Sequence, residues 1–251
     1  MNPADFALDP PRCVACPLRK CGNFLPVDDA VLAFIDDFRS ETQMLPAGET
    51  LIREQSKAQR VFTLFSGWAF RYKTLSDGRR QILNFMLPGD FFGLQQQFTD
   101  GATYGVEALT EVAVCVFPAA RLWDLYRAHP QLGYDVTWLS AREEQMLDEN
   151  LLTTGRRSAI ERVAVLLIHL FKRAQRVNLV DADNGFAFPL TQQHVADALG
   201  LSLVHTNRTL RRLQQLGLHE LADGRMVLRN AKALKQLADY VDHPLNAVPL
   251  I

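Results

Sequence analysis

LTQQHVADALGLSLVHTNRTLRRLQQLGL, residues Leu190–Leu218, is the stretch whose reading decides the fold. It divides into two short helical patterns around a tight turn. In the first, Val195, Ala196 and Leu199 share a face by the i, i+3, i+4 spacing of a helix. Thr191 can cap its start, because a hydroxyl accepts from an N–H that the first turn leaves without a partner. Gly200 supplies the residue tolerant of positive φ with which helices often end. Ser202 can cap the second helix. There Leu203, Thr206, Leu210 and Leu213 form one face, while Asn207, Arg208, Arg211 and Arg212 project elsewhere. This is the pattern of a helix-turn-helix, whose second helix lies in the major groove of DNA and reads bases from its N-terminal turns.

An ordinary helical hairpin with a solvated basic face is the alternative, and two observations count against it. From Ser202 to Lys235 there are seven basic residues (Arg208, Arg211, Arg212, Arg225, Arg229, Lys232, Lys235) against two acidic ones (Glu220, Asp223), in a chain whose net charge is −1. Basic charge is therefore concentrated where a phosphate backbone would lie. Beyond Leu218, the run HELADGRMVL reads as a hairpin turning at Asp223-Gly224, which makes a wing beside the second helix.

Outward from this stretch, 251 residues suggest one large or two modest domains, and 48% hydrophobic with 22% charged residues is an ordinary water-soluble composition. No secretory signal pattern opens the chain, and the longest apolar run, 163–168, is far too short to span a bilayer. The expectation is a cytoplasmic protein with no membrane partner. In a reducing compartment the four cysteines, Cys13, Cys16, Cys21 and Cys115, are free thiols or metal ligands rather than disulfides.

Residues 1–25 are rich in Pro and Cys, carry little periodicity and read as an arm. Val27–Phe38 reads as a short helix with Val31, Leu32 and Ile35 inward. From Met44 to Pro118, turn signals at Ala47-Gly48, Ser66-Gly67, Asp77-Gly78, Pro88-Gly89 and Asp100-Gly101 separate short runs such as VFTLFSG, WAFRYKTL, QILNFML and EVAVCVF. Regular short strands with such turns indicate an antiparallel β-roll. Ala119–Arg127 reads as a short helix and Gln131–Thr153 as a long one. In the long one Leu132, Val136, Leu139 and Met146 keep the 3–4 spacing of a coiled-coil seam between two copies, interrupted by Glu143. Packing of this helix on its own β-roll is compatible with the same spacing. Gly155-Arg156-Arg157 breaks the pattern and places a boundary. Ser158–Arg173 is again amphipathic and leads through Asn178–Phe188, read as a hairpin, into the opening stretch. The expected fold is α+β: arm 1–25, β-roll sensor domain 26–129, dimerisation helix 130–155, winged helix-turn-helix 156–251.

β-roll, long helix, winged helix-turn-helix: this order resembles the Crp/Fnr family of bacterial transcription regulators over nearly the whole chain. Its strongest local matches are PGDFFGL at Pro88–Leu94, EALTEVAVCVFP at Glu107–Pro118 and LTQQHVADALGLS at Leu190–Ser202. The resemblance implies a homodimer on a palindromic promoter site in double-stranded DNA, with RNA polymerase as a partner. Cyclic-nucleotide members of the family use a Glu just after the PGD turn and an Arg further on. Here the Glu position is Leu94, and no Arg or Lys occurs between Gly93 and Leu109. A phosphate there would lack its charged partner. Cyclic AMP and cyclic GMP are therefore not the expected ligands, and an apolar filling of that pocket is.

The cysteines resemble those of the oxygen-sensing Fnr branch, which holds an iron–sulfur cluster with three N-terminal cysteines and one in the β-roll. Cys13, Cys16, Cys21 and Cys115 are on that likeness the ligands of a [4Fe–4S] cluster, though the spacing C-x2-C-x4-C is one residue shorter than the Fnr pattern. Four ordinary thiols, with Cys115 a small buried hydrophobe, is the other reading. Placed on LSLVHTNRTLRRL, the family motif puts base-reading positions at Leu203, Val204, Asn207 and Arg208, with Arg208 matching an arginine aimed at guanine. Val204 stands where a Glu is common, so known half-sites do not carry over. His205, Arg211 and Arg212 are expected on phosphates.

An enzyme is not expected. There is no phosphate-binding or dinucleotide loop and no G-x-S-x-G, and the six histidines (129, 169, 194, 205, 219, 243) all fall outside Met44–Pro118. A ligand-binding β-roll protein, or a regulator with no cluster and another effector or none, is the remaining rival. The first of these would not need the basic cluster.

Overall fold

The structure is a computed structural model that describes residues 10–57, 59–241 and 246–251. The first nine residues of the expected arm, and His243, lie outside the described residues. Helix α1 (Asp29–Phe38) starts where Asp28 accepts from the Val31 amide at 2.8 Å. It turns Ile35 and Phe38 inward, with the Phe38 ring 5.1 Å from that of Phe117.

The β-roll that follows is built from β1 (Glu41–Leu45), β2 (Thr50–Ile52), β3 (Arg60–Ser66), β4 (Ala69–Thr74), β5 (Arg80–Met86), β6 (Phe91–Phe92), β7 (Gly105–Ala108) and β8 (Val112–Pro118). Its strands pair antiparallel in two sheets, ordered β1-β8-β3-β6 and β2-β7-β4-β5. Inward-facing residues of both sheets, among them Ile52, Phe62, Leu64, Val106, Val114 and Val116, form the core between them. The β3–β4 turn needs its glycine: Gly67 sits at φ +80°, where a Cβ would lie 2.2 Å from the Glu111 carbonyl oxygen.

Helices α2 (Leu122–Ala128) and α3 (Pro130–Arg156) come next. Pro130 occupies the first turn of α3, where its missing N–H costs nothing. The 27 residues of α3 run without a break for roughly 40 Å, passing through Gly155. The seam expected on this helix is corrected here. Leu132 and Val136 are fully buried against Ile35, Phe38, Leu122 and Leu125 of the same chain, and Leu139 packs at the edge of that cluster. Burying a Leu or Val side chain is worth about 1.5–3 kcal/mol, so these residues are committed to the chain's own core. The stripe left outside is Tyr134, Ala141, Glu144, Asp148 and Leu151.

The C-terminal unit consists of α4 (Ala159–Arg176), β9 (Gly185–Ala187), α5 (Gln192–Leu199), α6 (Leu203–Gln215), β10 (His219–Ala222), β11 (Arg225–Leu228) and α7 (Ala231–Leu237). Glu161 fixes the start of α4 by accepting from the Ser158 amide at 2.7 Å. The apolar face of α4 (Val163, Leu167, Ile168, Leu170, Phe171) packs under the helix-turn-helix. That core is continuous with the β-roll: Phe70, Tyr72, Ile82 and Phe85 belong to the same cluster as Val195 and Leu199. Gln81 donates to the Ala198 carbonyl at 3.1 Å, and the rings of Phe70 and His194 lie 5.5 Å apart.

Two further expectations change. Asn178–Phe188 is not a hairpin of its own, since β9 joins the wing as its third strand in the order β10-β11-β9. Nor does the chain after 156 stay in the DNA-binding unit. Residues 246–251 return to the β-roll, where Val248, Leu250 and Ile251 are buried. Val248 bridges to Phe24, the Leu25 amide donates to the Val248 carbonyl at 2.8 Å, and Thr63 donates to the Ile251 oxygen at 2.8 Å.

Candidate nucleic-acid interface and cysteine site

The helix-turn-helix is shaped by the caps that its sequence supplies. Thr191 accepts from the His194 amide at 3.2 Å, Gly200 ends α5 at φ +62°, and Ser202 accepts from the His205 amide at 3.3 Å. Thr206, Thr209, Leu210 and Leu213 are then buried against α4 and α5. Val204, His205, Arg208, Arg211 and Arg212 are exposed together on the outer side of α6. Leu203, expected to be both inward-facing and base-reading, is 46% exposed and stands with the outer group. Asn207 is half-buried and donates to Gln192 at 2.7 Å, which ties it back to α5.

Among the described residues, none of the Arg208, Arg211 and Arg212 guanidiniums has a carboxylate partner. The wing is different. Arg225 is held by Asp181, and Arg229 by Glu220 at 2.6 Å. Asp223 and Gly224 both take positive φ, 51° and 71°, the geometry of a tight hairpin turn. The positive potential that the sequence spreads over Ser202–Lys235 is thus concentrated on α6, with the wing's arginines already neutralised. The pairing of Arg225 with Asp181 was invisible in the sequence because the partner is 44 residues away.

Inside the β-roll, the place expected to be apolar holds charge. Tyr104 fills the space beside the PGD turn, its hydroxyl accepting from the Gly93 amide at 3.2 Å. Above its ring, 4.6 Å from the centroid, lies the guanidinium of Arg71, which is fully buried. Arg71 donates to Glu143 of α3 at 2.5 Å. Burial pushes the Glu143 carboxyl above its ordinary range, and the Arg71 charge opposes that rise. The glutamate that interrupts the apolar spacing of α3 is therefore the anchor of the helix to the roll. Sequence reasoning searched for a cation between Gly93 and Leu109 and missed Arg71, which β4 delivers from the neighbouring strand.

The cysteines come together only in part. The arm folds as two single 3₁₀ turns, Cys13–Ala15 and Leu18–Cys21, pressed on the roll. Cys13, Cys16 and Cys115 line one narrow cavity of about 20 Å3 with Arg19, Arg39, Leu250 and Ile251. Cys21 is turned away and donates weakly to the carbonyls of Pro17 and Val177. Burial pushes the Cys13 thiol up to about 12 and Cys21 up to about 11, and raises Cys115. Among the described residues no three His, Cys, Asp or Glu side chains converge as metal ligands do. Four cysteines of which Cys21 faces elsewhere, and a cavity with room for about one water, do not fit a [4Fe–4S] cluster in this arrangement.

Comparison with known proteins agrees with this architecture. Residues 42–129 match the model of the cyclic nucleotide-binding domain, and residues 161–237 match the Crp-like helix-turn-helix domain. The chain is 29% identical over 240 residues to the nitrogen fixation regulation protein FixK of Bradyrhizobium diazoefficiens, covering 95% of this chain and 99% of that one. It is 31% identical to the transcriptional activatory protein AadR of Rhodopseudomonas palustris, covering 81% and 82% of the two chains. The solved structure of FixK2 from Bradyrhizobium japonicum superimposes with a TM-score of 0.72 at 29% identity, over 81% of this chain and 98% of that one. No helix among the described residues is long and apolar enough to cross a membrane. With its β-roll, its long helix and its winged helix-turn-helix, the chain belongs to the Crp/Fnr family of DNA-binding transcription regulators.

Proposed function

We propose that this regulator binds a palindromic promoter site as a homodimer, and that the N-terminal half of α6 reads the bases. The observation that carries the reading is the outer side of α6, where Arg208, Arg211 and Arg212 stand exposed with no carboxylate partner among the described residues. Arg208 is nearest the start of the helix, where side chains reach base edges. Leu203 and Val204 offer apolar contact to a thymine methyl, and Asn207 becomes a base reader if it leaves Gln192. His205, Arg211 and Arg212 serve phosphates. The dimer forms along the outer stripe of α3, centred on Tyr134, Ala141, Asp148 and Leu151, and the bound dimer activates through RNA polymerase. Selection from random promoter fragments by gel shift tests this. A chain that retards all fragments alike, or none, overturns it.

The input is redox state at Cys13, Cys16, Cys21 and Cys115. What supports it is the convergence of the arm and β8 on one cavity, which brings thiols from distant parts of the chain together. A [4Fe–4S] cluster on these four residues requires a different arrangement of the arm. Iron content and the visible spectrum of protein purified without oxygen decide the matter. About four irons per chain and a brown colour lost in Cys115→Ser establish the cluster. Colourless protein leaves thiol chemistry alone. Cyclic nucleotides are not the effector in this reading, because Leu94 offers no carboxylate, Tyr104 fills the space beside the turn and the Arg71 cation above it is already paired with Glu143.

A further inference from the structure

A cavity of about 650 Å3 opens between the β-roll and the DNA-binding unit, away from both α6 and the cysteines. Its walls come from β5, α3, α4, the end of α5 and the residues Asp239, Tyr240 and Val241 after α7. The volume falls in the range of small-molecule sites. One side is apolar, with Phe85, Leu166, Leu170 and Leu199. The lining also carries Arg142, Lys172, Arg173 and Arg176, with Glu149 and Asp239 as acidic members.

These three arginines are not equivalently satisfied. Arg173 donates to the Asn84 side chain at 2.9 Å and the Phe85 carbonyl at 2.5 Å, and it is paired with Asp90 of the PGD turn. Arg157, at another edge of the cavity, is paired with Glu149 at 2.5 Å. Arg142 and Arg176 have no carboxylate partner among the described residues. Among the described residues the Nε of Arg176 is buried with no hydrogen-bond partner, and Arg142 lies over the face of Trp138, 5.9 Å from the ring centroid. Burial and the charge of Arg176 push Arg142 down to about 10, and burial likewise lowers Arg176. Asp90, the carboxylate whose charge acts on both, is already held by Arg173, and buried cations short of counter-charge are costly. Two of them side by side at the mouth of an apolar cavity make the kind of site that an anion completes.

We propose that this interdomain cavity binds a small organic dianion, its charged end held by Arg142 and Arg176 and its apolar body against Phe85, Leu170 and Leu199. Planar guanidiniums pair equally with phosphate and with carboxylate oxygens, so the dianion is a phosphate monoester or a dicarboxylate on an apolar body. Because the walls belong to the sensor, the long helix and the helix-turn-helix, such a ligand binds best to one relative placement of the two units. By that differential affinity it shifts the population of DNA-binding orientations.

The test is calorimetry on the full chain with three probes: phenyl phosphate, phthalate, and inorganic phosphate as a charge without an apolar body. The expected result is one site per chain for phenyl phosphate or phthalate, tighter than for inorganic phosphate by at least tenfold. The probe that binds identifies which chemistry is meant. Binding should weaken at least tenfold in Arg142→Gln and in Arg176→Gln. Melting without ligand separates a site from a structural role: both variants should melt at or above the temperature of the parent chain, since a repulsive pair has been relieved. No binding of either organic probe to the parent chain overturns the proposal. So does binding that survives both substitutions but is lost in Arg208→Gln, which places the anion on the DNA face. A lower melting point in both variants with binding unchanged also overturns it.

Discussion

Replacing Arg71 with methionine should destabilise the chain in a way that depends on pH. In the parent, the Arg71 side chain is 2% exposed and Glu143 25% exposed, joined at 2.5 Å. The substitution keeps most of the aliphatic volume and removes the only hydrogen-bond partner of the Glu143 carboxyl among the described residues. Removing one member of a buried pair costs about 3–5 kcal/mol. Glu143 retains partial access to water, which argues for the lower end, about 3 kcal/mol. In a chain of this size that corresponds to a fall of about 6–12 °C in melting temperature. The sign of the pH dependence follows from the raised carboxyl. A carboxyl raised on folding binds its proton more tightly in the native than in the unfolded state, so stability falls as pH rises through that interval. Without Arg71 to oppose the rise, the interval widens upward. Arg71→Met should therefore show a smaller deficit at acid pH, where a raised carboxyl takes up its proton, than at alkaline pH, where it must stay charged without a partner. The double change Arg71→Met, Glu143→Leu should recover most of the loss, since an apolar pair of similar volume leaves no charge buried. Thermal melts of the three proteins at three pH values measure all of this. A deficit equal at every pH, or one that the double change does not reduce, would refute the assignment of Glu143 as the buried charge.

Other expectations follow from the outer surfaces. Arg208→Ala should cost about 1–3 kcal/mol on the selected DNA site and relax preference at one base. Arg211→Ala and Arg212→Ala should weaken all sequences alike and lower the salt slope by about 1 each, which titrations at two salt concentrations distinguish. Leu151→Glu, on the exposed stripe of α3, should shift sedimentation toward monomer while leaving the melting temperature of the monomer within about 2 °C, as a surface change does; Leu139→Glu, at the edge of the chain's own cluster, should lower it. In thiol labelling at pH 8, Cys13, Cys21 and Cys115 should react slowly because burial raises their thiols, and Leu250→Ser should accelerate Cys13 and Cys115 most. Calorimetry with cyclic AMP and cyclic GMP should show no heat of binding in the β-roll, and tight binding of either would mean that Tyr104 and Arg71 move aside.

The helix-turn-helix was legible because its signals are local. Thr191, Gly200 and Ser202 sit within one turn of the groups they satisfy, and the turn glycines of the β-roll mark the loops between its strands. The seam on α3 was misassigned because a 3–4 spacing says that a face is covered, not what covers it. Leu132 and Val136 meet α1 and α2 of their own chain. The Arg71–Glu143 anchor could not be read, since 72 residues separate the partners and each alone looks like an ordinary surface charge. In the cysteine site the likeness to the Fnr branch assigned four equivalent ligands, whereas the fold turns Cys21 toward α4's end and leaves three on the cavity. The short run Val248–Ile251 has no period to report, and the groups it hydrogen-bonds with, Arg19, Asn23, Leu25 and Thr63, lie more than 180 residues earlier.

That last segment makes the DNA-binding unit a body tethered at both ends. It enters from α3 at Arg157 and returns to the β-roll at Val248. Between Leu237, the end of α7, and Val248 there are eleven residue steps, whose fully stretched contour is at most about 40 Å. A regulator of this build cannot swing its recognition helix through an arbitrary arc: beyond the slack of that strap, rotation must first pull Ile251 from beside Cys13. The unit is thus fixed to the sensor at two places, one through α3 and the other where Ile251 packs beside Cys13.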